Sequence, residues 1–411
     1  MTRLFRCLAL ACLGLILGCG GGGGTSTAAG STGSTGSTGG GNTASLYPDY
    51  NTQPLPADAS GMARSAPQIA QGLRLGFNIG NTLEASGGQG ETAWGNPKIT
   101  AAFVQAVKAQ GFNAIRLPVS WDAYADAGTA RIDPAWMARV KEVVQYCVDA
   151  DLSVVVNIHW DGGWLETHVD TASQQAVNAK QKAYWQQIAT ALRGFDQHVL
   201  FASANEPNVK TAEQMAVLMS YHQTFVDAVR ATGGRNAWRT LIVQGPGTDI
   251  ELTHTLMSAW PQDNVADRLM AEVHYYTPWN FTGMTQDESW GSPFFYWGEG
   301  NHSATDTAHN PTWGEEATVA QMFALMKARF VDRGIPVIVG EFGAMDRRAT
   351  LNGDALALHE ASRAAFARTV VQQALAQGLV PFWWDVGGLI DRNTQAVLDP
   401  GVLQGLIEGT R

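Results

Sequence analysis

Cysteine is nearly absent from the body of this 411-residue chain. Cys7, Cys12 and Cys19 fall within the first twenty residues and only Cys147 lies beyond them, so the folded part can form no internal disulfide. Charge is also sparse, at 16% of residues, with an acidic excess that leaves a formal net charge of −10. No lysine or arginine cluster occurs, which speaks against a nucleic-acid partner. Several reaction signatures are missing: there is no GxSxG elbow, no Walker sequence and no HExxH. His359-Glu360 lacks the second histidine and falls on a predicted helix. The glycine run after Cys19 follows no strand and lacks the Lys-Ser/Thr of a phosphate loop.

What is present begins with the N-terminus. Arg3 and Arg6 precede an apolar run, Cys7 to Leu17, that is too short to span a bilayer. Ile16-Leu17-Gly18-Cys19 resembles a bacterial lipobox. The expectation is a lipoprotein-type signal peptide over 1–19, with Cys19 lipidated and the protein held at the membrane of the cell envelope. Ordinary signal cleavage nearby is the alternative. Residues 20–45, rich in Gly, Ser and Thr, read as a flexible linker, because such a segment buries too little apolar surface to offset its ordering entropy. Residues 46–72 read as a lead-in with a short helix near Met62 to Ile69.

From Leu73 onward, short apolar runs alternate with longer amphipathic segments. The runs are LRLGFNIGN, FNAIRLPVSW, SVVVNIHW, VLFASANEPN, RTLIVQGP, LMAEVHYY, PVIVGEFG and LVPFWWDVG. Most are separated by helical patterns, several opened by a cap or an N1 proline (Asp133-Pro134) and closed by glycine, as at Gly334 and Gly378. Eight strand-helix repeats imply parallel strands joined by right-handed crossovers, and eight is the number that closes a (β/α)₈ TIM barrel. An open doubly wound sheet would not need polar residues at nearly every strand tip.

Those tips carry Asn78 with Asn81 and Glu84, Arg116, His159 with Trp160, Asn205 with Glu206, His274 with Tyr276, Glu341, and Trp384 with Asp385. In a TIM barrel all of them converge on one face. The fifth tip, Gln244, looks unremarkable. The long connection from Thr277 to Glu316 holds Trp279, Phe281, Trp290, Phe294, Phe295, Tyr296, Trp297 and Trp313. These read either as walls of a cleft or as a satellite cluster beneath the loop.

Two glutamates at the tips of strands four and seven suit glycoside hydrolysis, which needs a carboxylate pair flanking one bond. A nucleophile must be ionised, and Arg116 offers it a cation. The acid must hold a proton, which a neighbouring negative charge favours. His274 or Tyr276 suits orienting the nucleophile, and Trp384 suits flooring the sugar. His159, His274 and Glu341 contain no close-spaced ligand pair, so no metal and no cofactor are expected. His198, His222 and His254 are expected on ordinary helix and loop surfaces.

In combination, GFNIGNTLEA, ETAWGNP, RLPVSW, NIHW, ANEP, EVHYY, GEFGA and FWWD resemble glycoside hydrolase family 5, of the cellulase type, over 73–411. The resemblance implies a single catalytic barrel with Glu206 as acid/base, Glu341 as nucleophile and Asn205 on the sugar 2-hydroxyl. It also implies Arg116, His159, His274 and Tyr276 as supporting residues, Trp384 as a stacking platform, and Asn81 and Glu84 as glycone-side ligands. Trp160 stands where many relatives carry a second histidine or an acid, on one side of the cleavage point. GNTLEA with ETAWGNP most resembles endo-β-1,4-glucanases; xyloglucanases and mixed-linkage glucanases share these motifs, and mannanases share the glutamates. The expected partner is a β-glucan polysaccharide or oligosaccharide, cleaved by a monomer.

Overall fold

The computed structural model describes residues 45–88 and 90–411. Eight strands, each followed by a helix, run along it in turn. They are β1 (Gly76–Ile79), α1 (Ala101–Ala109), β2 (Ala114–Leu117), α2 (Pro134–Asp149), β3 (Ser153–Asn157), α3 (Gln174–Leu192), β4 (Val199–Ala202) and α4 (Ala212–Ala231). Then come β5 (Leu241–Gln244), α5 (Ile250–Leu256), β6 (Leu269–Tyr275), α6 (Glu316–Arg329), β7 (Val337–Phe342), α7 (Gly353–Ala376), β8 (Leu379–Asp385) and α8 (Pro400–Glu408). Neighbouring strands are parallel and β8 pairs back onto β1, so the sheet closes into the expected (β/α)₈ barrel.

The short helices α5 and α8 were not marked by periodicity, being too brief to show it. Each is set by its cap: Asp249 accepts from the Leu252 amide and Asp399 from the Val402 amide. The lead-in helix starts later than expected, at Ala66, because Ser65 caps it and closes a capping box with Gln68.

Alternation along each strand divides the interior from the helix-facing core. On β6, Ala271, Val273 and Tyr275 join the large cluster under the helices, whereas Met270 faces inward. The barrel floor is apolar: Ala114, Val155, Leu200, Ile242, Met270, Ile338 and Val380 pack there with Ala66, Ile69 and Leu73 of the lead-in. Arg268, at the foot of β6, donates to the carbonyls of Met62 and Arg64 and fixes the lead-in beneath the barrel.

One layer up, the interior turns polar. Asn78, Arg116, Gln244 and Glu272 are all fully buried there. β7 carries a bulge: Val273 pairs with Val339 but His274 pairs with Glu341, so Gly340 is left over. That extra residue brings Glu341 opposite His274. A Cβ on Gly340 would lie 2.1 Å from Glu272 Oε1, so the bulge must be glycine for Glu272 to fit.

His222 overturns its expected surface position. It is fully buried on α4, with its ring nitrogens 2.9 Å from Ser203 Oγ and from the Gln244 carbonyl. Cys147 is a buried free thiol. Among the described residues no helix is long and apolar enough to cross a membrane. Cys19, the signal peptide and the linker up to residue 44 lie outside the described residues.

Candidate active site

Arg116 organises the mouth of the barrel. Its side chain is fully buried at the second strand, and buried guanidinium groups require partners on every edge. Nη1 donates to Glu341 Oε1 (2.8 Å) and Asn78 Oδ1 (3.0 Å), and Nη2 donates to Asn205 Oδ1 (2.8 Å). Nε sits 2.9 Å from Glu272 Oε1. One side chain thus ties strands β1, β6 and β7 to the loop after β4.

His274 completes the arrangement from β6. Its Nδ1 lies 2.7 Å from Glu206 Oε1 and its Nε2 lies 3.2 Å from Glu272 Oε1. With a carboxyl oxygen of Glu206 on one side and of Glu272 on the other, both ring nitrogens can donate, as the cationic ring does. Burial opposes that charge, but Glu341, Glu206 and Glu272 outweigh it and push the imidazole up to about 9. Tyr276 donates its hydroxyl to the second oxygen of Glu341 at 3.1 Å. Burial raises the Glu341 carboxyl above its usual range, against the pull of His274 and Arg116.

Glu341 is 5% exposed, whereas the Glu206 side chain is 44% exposed and faces the open cleft. One carboxyl oxygen of each glutamate and a His274 ring nitrogen all lie within 4.8 Å of one another. So close an approach suits the pair of a retaining glycosidase, whose carboxyl groups lie about 5 Å apart, better than the wider pair of an inverting one. Glu206, His274, the 247–249 turn after β5 and the first residues of α5 line one cavity together with Tyr276, Thr277 and Met322.

Six of the residues singled out in the sequence (Arg116, Asn205, Glu206, His274, Tyr276 and Glu341) therefore form one network of hydrogen bonds and ion pairs, in which Glu272 joins the His274–Glu206 pair to the rest. His159 and Trp384 stand beside it with their rings stacked, centroids 5.8 Å apart and planes 8° from parallel. Burial and the charges of Arg116 and His274 hold the His159 imidazole well below its ordinary range, so it is neutral. Trp384 lies close over Gly80, where a Cβ would meet the indole at 2.8 Å.

Asn81 and Glu84 form a turn after β1. The Glu84 carboxylate accepts the backbone N–H groups of Asn81 and Thr82 and keeps Asn81 at a positive φ of 56°. Burial drives its carboxyl up to about 7, with those amides and Arg392 opposing. Trp160 is 42% exposed beside His159. The aromatic loop before α6 divides both ways: Phe281, Phe294, Tyr296 and Trp297 are buried, with Phe281 and Trp297 packed on Phe366 of α7, while Trp279, Trp290 and Trp313 are exposed.

Two participants escaped the sequence reading. Glu272 sits in mid-strand, where an acid had no visible reason to be. Gln244 is not idle either: it donates to Glu272 Oε2 at 2.6 Å and accepts from the Ala204 amide at 2.9 Å. The signal for Glu272 was its spacing, two residues before His274 on a strand whose alternate positions face inward.

The chain matches the glycosyl hydrolase family 5 cellulase model over residues 79–389. It belongs to that family. Among curated proteins, it is 36% identical over 391 residues to a xyloglucan-specific endo-beta-1,4-glucanase of Bacteroides ovatus, covering 89% of this chain and 74% of that protein. It is 33% identical to endoglucanase A of Paenibacillus barcinonensis, covering 84% and 90%. Among solved structures, a xyloglucan-specific family 5 glucanase from a ruminal metagenomic library superposes with a TM-score of 0.79 at 39% identity, covering 84% and 96%. This member of glycosyl hydrolase family 5 is a retaining endo-acting hydrolase for polysaccharides of the β-1,4-glucan type.

Proposed function

We propose that the protein is an endo-β-1,4-glucanase whose preferred substrate is xyloglucan, with Glu206 as acid/base and Glu341 as nucleophile. The sequence motifs alone put an unbranched glucan first. The similarities weigh toward the branched one: three structures described as xyloglucanases superpose with TM-scores of 0.82, 0.79 and 0.76, against 0.71–0.74 for those described as broad-specificity endoglucanases.

The observation that carries the assignment of roles is the asymmetry of the pair. Glu341 is buried and bound by Arg116 and the Tyr276 hydroxyl, the surroundings of an anion that must attack carbon. Glu206 is exposed and, among the described residues, bound by His274 alone, free to reach a glycosidic oxygen. In the first step Glu206 gives its proton to the leaving oxygen as Glu341 bonds the anomeric carbon. In the second, Glu206 takes a proton from water, which displaces Glu341 with net retention. Asn205, held by Arg116, suits the sugar 2-hydroxyl, Trp384 suits the sugar face, and Asn81 and Trp160 suit contacts to either side.

The test is reducing-end release from xyloglucan, barley glucan, carboxymethylcellulose and mannan, with a Glu341→Gln control. Fastest cleavage of xyloglucan, lost in the control, supports the reading. Preference for undecorated glucan returns the substrate to cellulose-type chains, and mannan cleavage alone overturns it. The lipid anchor on Cys19 is a separate proposal: a Cys19→Ala protein that stays in the membrane fraction refutes it.

A further inference from the structure

We propose that Glu272 is a positioning residue for the reaction: a fixed buried anion that keeps the Arg116–His274–Glu206–Glu341 cluster electrically neutral in both halves of the catalytic cycle. The inference rests on the acid/base and nucleophile roles proposed above and concerns a residue with no place in them.

The geometry is specific. Glu272 is fully buried, with Oε1 shared between Arg116 Nε (2.9 Å) and His274 Nε2 (3.2 Å), and Oε2 accepting from Gln244 Nε2 (2.6 Å). It has no route to a sugar. A buried carboxylate costs several kcal/mol unless paired, and here the bulge at Gly340 opens the space that admits it. Burial pushes its carboxyl up, but Arg116, His274 and Gln244 together more than reverse this and hold it ionised.

The cations of the cluster are Arg116 and His274 and its fixed anion is Glu272; in the form the proposed mechanism needs for its first step, Glu341 is the second anion and Glu206 carries the proton. That state is neutral. Glycosylation then moves one proton from Glu206 to the leaving oxygen and turns Glu341 into an ester. Glu206 becomes the anion, Glu341 ceases to be one, and the cluster is neutral again. Charge migrates between the two glutamates while Glu272 stays constant. Without it, either state carries an uncompensated positive charge in a low-dielectric site, and the cluster sheds a proton needed for catalysis. The surrounding groups add no charge to replace it: His159 beyond β3 is neutral, Tyr276 after β6 is protonated, Asn78 and Gln244 on β1 and β5 are uncharged, and Trp384 stands on β8. Glu166, a buried acid near Glu206, is pushed well above the carboxylate range by burial and is neutral, while Asp249 and Glu251 line the same cavity from exposed positions, where solvent screens their charge.

The experiment uses Glu272→Gln in the full protein, which keeps the shape and removes the charge. Expected are a loss in kcat/KM of on the order of a hundredfold, an alkaline limb of the pH–rate profile moved to lower pH by on the order of one unit, and a His274 ring titration, read by nitrogen NMR, that falls in parallel. Slowing must also reach kcat for a 2,4-dinitrophenyl glycoside, whose leaving group needs no acid and whose second step is limiting. An unmoved limb with an unmoved His274 titration overturns the proposal, whatever happens to rate. If the variant does not fold, the wild-type protein carries the test: His274 titrating in the ordinary histidine range overturns it. Should wild type cleave no β-glucan, the functional reading fails, and the His274 titration still reports on the charge balance.

Discussion

Arg116→Lys is the sharpest perturbation of the site, because charge is kept and geometry is lost. The guanidinium contacts Asn78, Asn205, Glu341 and Glu272 at 2.8–3.0 Å from three different nitrogens. A single ammonium at the end of a shorter, non-planar group cannot span from Glu272 to Glu341 and Asn205 together. At least two charge-assisted hydrogen bonds go, each contributing about 1.5–3 kcal/mol, so the native state loses about 3–6 kcal/mol. Transition-state stabilisation falls as well, because the nucleophile and Asn205 lose their common anchor; about 3 kcal/mol there corresponds to a hundredfold or more in rate. Urea denaturation gives the first quantity and kcat/KM on xyloglucan the second. An Arg116→Lys protein with a wild-type urea midpoint and a rate within about threefold of wild type, well short of that loss, would show that the fork geometry is unimportant and refute the reasoning.

Removing the Tyr276 hydroxyl as Tyr276→Phe deletes one hydrogen bond to Glu341 and should cost about tenfold in kcat or more, with little change in fold by circular dichroism. Glu84 binds its proton up to about pH 7 in the fold but only to 4.5 in the free state, so the native chain holds more protons across that window and stability falls as pH rises through it. The loss is about 3 kcal/mol, and Glu84→Gln should flatten that part of a plot of urea midpoint against pH. His222 behaves oppositely: burial keeps it neutral down to about pH 4, so its contribution is complete above 6.5 and is lost as pH falls toward 4. Replacing it as His222→Asn should lower stability at neutral pH and reduce the acid sensitivity of unfolding; an unchanged acid slope would count against the buried assignment.

The barrel was legible in the sequence because each strand is buried on both sides and therefore reads as an unbroken apolar run. The tips were legible for the complementary reason: Arg116, Glu206, His274 and Glu341 interrupt those runs with groups that packing would not choose. Glu272 was not, since a single acid in EVHYY gains its meaning only once Arg116 arrives from a strand 156 positions away and Gly340 clears the space; alternation alone says that it points inward, not what it meets. Gln244 was missed for the same reason. His222 was misjudged because a histidine on an amphipathic helix looks the same whether its partners are water or Ser203 and Gln244. Ala66, Ile69 and Leu73 gave no hint of a barrel floor, being too few to show periodicity.

That floor has a consequence for how the protein is made. Arg268 grips carbonyls 204 and 206 positions earlier in the chain. Synthesis proceeds from the N-terminus at about 5–20 residues per second, so Met62 and Arg64 wait on the order of ten to forty seconds before the residue that anchors them exists. During that interval Ile69 and Leu73 have no barrel to enter, and the half-built sheet has no base. The lead-in, translated before any strand of the barrel, is among the last parts to find its place, and the nascent chain must be kept from aggregating until β6 emerges.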